Sequence, residues 1–148
     1  MTENATSLAA RLTVSGNPDG SGQTGDPPGR PAEPGNKTDT VPVVGDFLDR
    51  CLAGSPFLAG FANRYPDEMA QFFSGAPETG LAAILDDAEK NLGQTTAFSA
   101  AAAILRRARL RAGILVSLAD LGGVWSVDEV IEALSVIANR LVSGAVRY

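Results

Sequence analysis

The chain contains no histidine. That excludes Ser-His-Asp and Cys-His nucleophilic catalysis, and zinc sites that use imidazole. A single cysteine, Cys51, excludes an internal disulfide framework and a Cys-rich zinc site. Aromatics make up only 6% of 148 residues, so the expected core is aliphatic, built from Ala, Leu, Ile and Val. Positive charge is also short: 12 Lys+Arg against 17 Asp+Glu, with a pI near 4.6. An acidic chain is a poor general binder of nucleic acid or of an anionic membrane. No apolar run approaches the ~18 residues that suggest a membrane span. Met1-Thr2-Glu3-Asn4 lacks the basic start and apolar stretch of a targeting peptide. The expectation is a soluble cytoplasmic protein, in which Asn4-Ala5-Thr6 and Asn36-Lys37-Thr38 are chance matches to the glycosylation pattern. No Gly-x-x-x-x-Gly-Lys-Ser/Thr loop occurs, and Gly20-Ser21-Gly22 is low-complexity sequence. No Asp-x-Asp occurs either. Nucleotidyl transfer uses such paired carboxylates to hold two metal ions ~4 Å apart. Asp86-Asp87 is the nearest pair, but helical neighbours point about 100° apart, so a solvated face is expected there.

What is present divides near residue 45. Residues 1–44 read as a disordered low-complexity tail. Six of the nine prolines (Pro18, Pro27, Pro28, Pro31, Pro34 and Pro42) lie in it among Gly, Ser, Asn and Asp. Such a segment cannot bury enough surface to offset its ordering entropy; at most a transient turn of helix is expected at Ser7 to Leu12. A flexible spacer or a partner-docking segment are its two readings.

Residues 45–148 read as an all-α domain. Phe47, Leu48, Cys51 and Leu52 share one face of a short helix over Asp46 to Leu52. Ser55-Pro56 then supplies a cap and a first helical residue. Pro66 opens another short helix with Asp67 and Glu68 in its first turn, where the helix dipole favours them. Glu78 to Leu92 carries Leu81, Ile84, Leu85, Ala88 and Leu92 on one side, and Gly93 ends it. Two long antiparallel helices follow, over about 96–121 and 127–147, with the short ones packed on them. Thr95 or Thr96 is the expected cap of the first, and Gly122-Gly123 its left-handed stop. Ser126 and Glu129 form a capping box, with Trp125 and Val130 placed as a hydrophobic staple. The last helix is predicted to bury Val127, Val130, Ile131, Leu134, Ile137, Ala138, Leu141 and Ala145. Ala112 to Ala119 is apolar around its circumference, and such a helix is normally covered on all sides. The final helix is still amphipathic when it reaches Tyr148, with no cap. Both features suggest a chain that is part of something larger.

Arg106, Arg107, Arg109 and Arg111 form the one strong charge cluster. They oppose the face made by Leu105, Ala108, Ala112 and Leu115. One reading is a solvated face salt-bridged to acids of adjacent helices. The other is a docking face for an anion or an acidic partner surface. Nucleic acid ranks last, because nothing else on the chain is basic or interleaved with aromatics. Cys51 reads as a small core thiol, Trp125 as a packing residue, and Asp120 as a partner for an Arg of another helix.

The run from Leu105 to Trp125 (LRRARLRAGILVSLADLGGVW) and its continuation Ser126 to Ser135 (SVDEVIEALS) resemble the bacterial glutamine synthetase adenylyltransferases. Ser55-Pro56-Phe57-Leu58 with Arg64-Tyr65-Pro66 resembles an amino-terminal region of the same family, and the likeness spans roughly Phe47 to Tyr148. The resemblance implies a nucleotidyltransferase that controls glutamine synthetase by adding and removing adenylyl groups. It implies Mg²⁺ and ATP as cofactors, and glutamine synthetase and the nitrogen-signalling PII protein as partners. It also implies that the Gly-rich strand and Asp-x-Asp motif lie in a separate catalytic domain, so no catalytic residue transfers to this chain. The expectation is a helical portion, inactive alone, that packs beside that domain with Arg106, Arg107, Arg109 and Arg111 near the junction. The alternative is a free-standing helical interaction module.

Overall fold

The structure, a computed structural model, describes residues 7–15 and 40–147. Seven helices and no strand occur among them: α1 (Leu8–Ser15), α2 (Thr40–Gly54), α3 (Pro56–Arg64), α4 (Pro66–Ser74), α5 (Pro77–Leu92), α6 (Phe98–Leu121) and α7 (Val127–Arg147). None of them is long and apolar enough to cross a membrane. The all-α architecture with two long antiparallel helices is the one expected from the sequence.

Local chemistry accounts for most of the boundaries. Three successive helices, α3, α4 and α5, each begin on proline. A proline there removes an N–H that would have no intrahelical acceptor, and presets the helical φ. Ser55 caps α3 by accepting a hydrogen bond from the Leu58 N–H at 3.3 Å. Ser126 and Glu129 make the reciprocal box at the start of α7. The Ser126 N–H donates to Glu129 Oε2 at 2.7 Å, and the Glu129 N–H donates to Ser126 Oγ at 3.3 Å. Gly123, at φ 62°, provides the left-handed turn after α6.

The long helices meet through small residues. On α6, Ala108, Ala112, Ile114, Leu115, Val116, Leu118 and Ala119 are buried, so the stretch that is apolar all round is indeed covered. Leu115 lies against Gly80 of α5, where an added Cβ would stand 3.2 Å from its Cδ2. At the far end of α7, Gly144 faces Leu92 and Leu105, at 3.0 and 3.8 Å from an added Cβ. The aromatics gather at the opposite end, where α2, α3 and α4 meet. Phe61 stacks on Phe72 at 6.0 Å and lies 5.3 Å from Tyr65, while Phe47 meets Phe73 edge-on at 6.5 Å. The expectation of an aliphatic core therefore holds for the long helices and fails for the short ones.

Four expectations are corrected. First, Leu8–Ser15 is a helix with Leu8 and Leu12 buried at 0% and 4% exposure, where a disordered tail with at most a transient turn at Ser7 to Leu12 was expected. Ser7 Oγ accepts from the Ala10 N–H at 3.3 Å, and the Leu8 N–H donates to the Gly75 carbonyl at 2.9 Å. So short a helix has no stability alone; burying two leucines, worth about 1.5–3 kcal/mol each, holds it. The rest of the predicted tail, residues 1–6 and 16–39, lies outside the described residues. Second, α2 starts at Thr40, ahead of the expected start at Asp46 and of the boundary at 45. Pro42 falls in its first turn, where proline is tolerated. Third, α6 starts at Phe98 with Ala97 at its cap and no side-chain cap bond. Thr95 Oγ1 instead accepts from the Ala97 N–H at 3.4 Å, a local turn. Fourth, the predicted face of α7 is borne out only in part: Ile137 is buried and Val130 and Leu141 pack against the core, but the rest of that face is not covered. Ala133, Ile137 and Gly144 are buried, while Val127, Ile131 and Leu134 stand 71%, 56% and 50% exposed. The small residues face α5 and α6 because they let the backbones approach.

Candidate functional site

The four arginines of α6 separate into two pairs. Arg107 and Arg111, one turn apart, point toward α4 and α5. Arg107 is ion-paired with Glu68 and lies over the Tyr65 ring, 4.9 Å from its centroid. Arg111 Nε faces Glu68 Oε2 at 3.0 Å, off the hydrogen-bond axis, so the contact is mainly Coulombic. Its other arm reaches Asp87 at 4.0 Å. Thus Glu68, from the acidic first turn of α4, ties α6 to the short helices. Arg106 and Arg109 lie exposed on the outer side of α6. Among the described residues neither reaches a carboxylate within ion-pair distance. The salt-bridged reading fits one pair, and the docking reading stays open for the other. Asp120, expected to pair with an arginine, is exposed and also lacks an ion pair within the described residues.

A second concentration of charge lies between α5 and α7, where the sequence marks only Asp86-Asp87 as a solvated pair and Trp125 and Glu129 for packing and capping. A groove of about 340 Å³ runs there over Leu81, Leu85 and Ala133, with Glu78 and Trp125 at one end and Arg140 at the other. Glu78 Oε1 accepts from the Trp125 indole N–H at 2.7 Å and from Arg11 of α1 at 2.7 Å. Burial pushes its carboxyl up. Hydrogen bonds from Trp125, from its own backbone N–H and from Arg11 outweigh that, and the net pKa lies below the ordinary value of 4.5. At the other end Arg140 donates to Glu89 Oε1 and Asp86 Oδ1, both at 2.8 Å. These bonds raise its pKa and lower that of Glu89, with the hydrogen bond as the leading cause on both sides. Glu129 is held low by the Ser126 backbone N–H and then by its hydroxyl.

These carboxylates are already engaged in holding helices together. Glu78 joins α1, α5 and the α6–α7 turn; Asp86 and Glu89 join α5 to α7; Asp87 faces Arg111. Among the described residues no three His, Cys, Asp or Glu side chains gather so as to hold a metal ion. Asp86 and Asp87 each face a guanidinium, so the donor set here does not fit Mg²⁺. Cys51 is half-buried on α2, and burial pushes its thiol up against the pull of Arg50. That is the behaviour of a packing thiol and not of a nucleophile. Trp125 is buried as expected, but its polar edge does something the sequence did not show: it donates to a carboxylate 47 residues away.

Comparison with known proteins bears on what such a scaffold belongs to. The family model described as "Glutamate-ammonia ligase adenylyltransferase" matches residues 46–148. A bifunctional glutamine synthetase adenylyltransferase/adenylyl-removing enzyme of Rhodopseudomonas palustris (strain TIE-1) is 37% identical over 101 residues, covering 68% of this chain and 10% of the relative. The enzyme of the same name from Caulobacter vibrioides is 36% identical over 94 residues, 64% of this chain and 9% of the relative. That from Brucella suis is 30% identical over 105 residues, 70% of this chain and 11% of the relative. The chain therefore matches about a tenth of the length of these curated relatives. No solved structure matches it. α1 precedes the matched region, while every helix from α3 to α7 lies inside it, and on that coverage the chain belongs to the glutamine synthetase adenylyltransferase family.

Proposed function

We propose that this chain is a helical, non-catalytic region of a glutamine synthetase adenylyltransferase, acting in the cytoplasm. In this reading it braces a nucleotidyltransferase unit carried on other sequence, which supplies the ATP and Mg²⁺ chemistry. Glutamine synthetase is the target, and a PII signalling protein a regulatory partner. The match of residues 46–148 to the family model carries the reading. The engagement of Glu78, Asp86, Asp87 and Glu89 in helix-to-helix contacts supports a bracing role. Two experiments test it. The purified full chain, given glutamine synthetase, ATP and Mg²⁺, is expected to transfer no AMP. Grafted into the Rhodopseudomonas palustris relative in place of the matching hundred or so residues, it is expected to support both addition and removal of AMP. AMP transfer by the chain alone would overturn the proposal, as would a folded graft inactive in both directions. The exposed apolar residues of α7 favour the second reading, a free-standing interaction module, and that inactive graft is the outcome it requires.

A further inference from the structure

α7 carries a second apolar stripe beside the one it buries. Val127, Ile131, Leu134, Ala138, Val142 and Ala145 follow one another at intervals of three or four residues, so they line one side of the helix. All six are exposed. The stripe runs nearly the full length of α7, too continuous for the scattered apolar residues of an ordinary surface. Alongside lies α6, whose Leu105 points at Gly144 of α7. Arg109 follows Leu105 by one turn, Arg106 precedes Arg109 by three residues, and both cations are exposed on this neighbouring helix.

Three occupants can be weighed. Residues 16–39 contain no Val, Leu, Ile, Met or aromatic side chain, so they have nothing to place on an apolar stripe. A second copy, pairing α7 with α7, would cover a strip about 32 Å long and roughly 10 Å wide on each partner. That is about 300 Å² a side, against the roughly 800 Å² of a standard stable interface. A surface this small suits a segment held nearby by the same polypeptide, where effective concentration substitutes for area. The exposed arginines on the adjacent helix, which make no ion pair among the described residues, favour acidic neighbours.

We infer that the outer face of α7, with Arg106 and Arg109, seats an amphipathic helix with an acidic border, supplied by the remaining sequence of an adenylyltransferase. This rests on the proposed function. Its test reads burial, not activity. Leu134→Cys is made in a Cys51→Ser background, in the full chain and in the graft described above. Thiol labelling at position 134 is followed by mass spectrometry. Val116→Cys, buried within α6, serves as the control that the chain's own fold is intact. Position 134 is expected to label at the rate of a free thiol in the chain alone, at any concentration. In the graft it is expected to slow by about tenfold or more, the factor that 1.4 kcal/mol of occlusion gives. Arg106→Glu with Arg109→Glu is expected to recover about threefold of that loss, as rim charges do. Equal rates at 134 in both settings, with position 116 protected, overturn the inference. So does slowing in the chain alone that grows with its concentration, which assigns the face to a second copy. Should position 116 react in the graft, labelling in the unaltered relative at the residue aligned with Leu134 decides, and a fast rate there overturns it. Loss of AMP transfer with protection of 134 retained would sink the proposed function and leave the docking face standing.

Discussion

The two ends of this molecule solve the same packing problem differently. At one end α3 and α4, nine residues each, pack with the 15-residue α2 and enclose Phe47, Phe61, Tyr65, Phe72 and Phe73. At the other, α5, α6 and α7 are 16, 24 and 21 residues long and meet through alanine and glycine. A short helix offers few inward positions, so each must bury a large side chain; an aromatic buries 150–250 Å². A long helix offers many, and small residues let the backbones close up so that aliphatic chains interdigitate. Proline punctuation fixes the lengths and so decides which solution each end can use. α1 spans the two. Leu8 is hydrogen-bonded to Gly75 at the end of α4, Leu12 abuts Gly122 at the end of α6, and Arg11 reaches Glu78.

The largest effect expected of a single substitution tests the aromatic end. Phe72→Ala should cost about 3–5 kcal/mol, read by urea unfolding. Trp125, the only tryptophan, lies in the turn between α6 and α7, so coincident fluorescence and circular dichroism transitions would show one cooperative unit. The double change Leu8→Ala with Leu12→Ala should cost about 2–5 kcal/mol per leucine. If α1 couples the ends, the two transitions should then separate; if they stay coincident, the ends are coupled by α6 and Glu68 alone. Gly80→Val should cost about 1–3 kcal/mol by overpacking against Leu115, visible as a lower urea midpoint with unchanged slope.

Acid should weaken the long-helix end. Glu78 has a folded pKa below its unfolded value, so its contribution is full above about pH 4.5 and is lost as pH falls through the lower folded pKa. Glu78→Gln should flatten the acid limb of a stability–pH curve; an unchanged limb would remove Glu78 as a cause. The smallest effect separates the arginines. Arg111→Ala should cost about 1 kcal/mol, whereas Arg106→Ala and Arg109→Ala should stay within about 0.5 kcal/mol.

Legibility followed the range of the interactions. Ser55-Pro56, the Ser126–Glu129 box and Gly123 were readable because cap, proline and left-handed turn are written within four residues. Thr95 misled because its hydroxyl had a nearer local donor, the Ala97 N–H, than any in the first turn of α6. The buried face of α7 was read correctly at Val130, Ile137 and Leu141 and wrongly at Val127, Ile131 and Leu134, because its apolar residues occupy two sides. Hydrophobicity favoured the side that is exposed, and only the close approach of Ala133 and Gly144 to the neighbouring helices selects the other. α1 was read only as a transient turn because its stability depends on burial against residues 60 to 110 positions away. The triad of Arg11, Glu78 and Trp125 leaves no local trace at all. The arginine cluster was visible as a cluster, but its division into paired and unpaired members depends on where Glu68 arrives.

Gly144 also limits how α7 can move. Sliding the helix by one turn, about 5.4 Å, would bring Arg140 into the space that Leu92 and Leu105 leave for a bare backbone. The glycine thus acts as a detent that indexes the helix along its axis. A load applied to the outer face of α7 can tilt it or lift it as a rigid lever, but cannot ratchet it lengthwise.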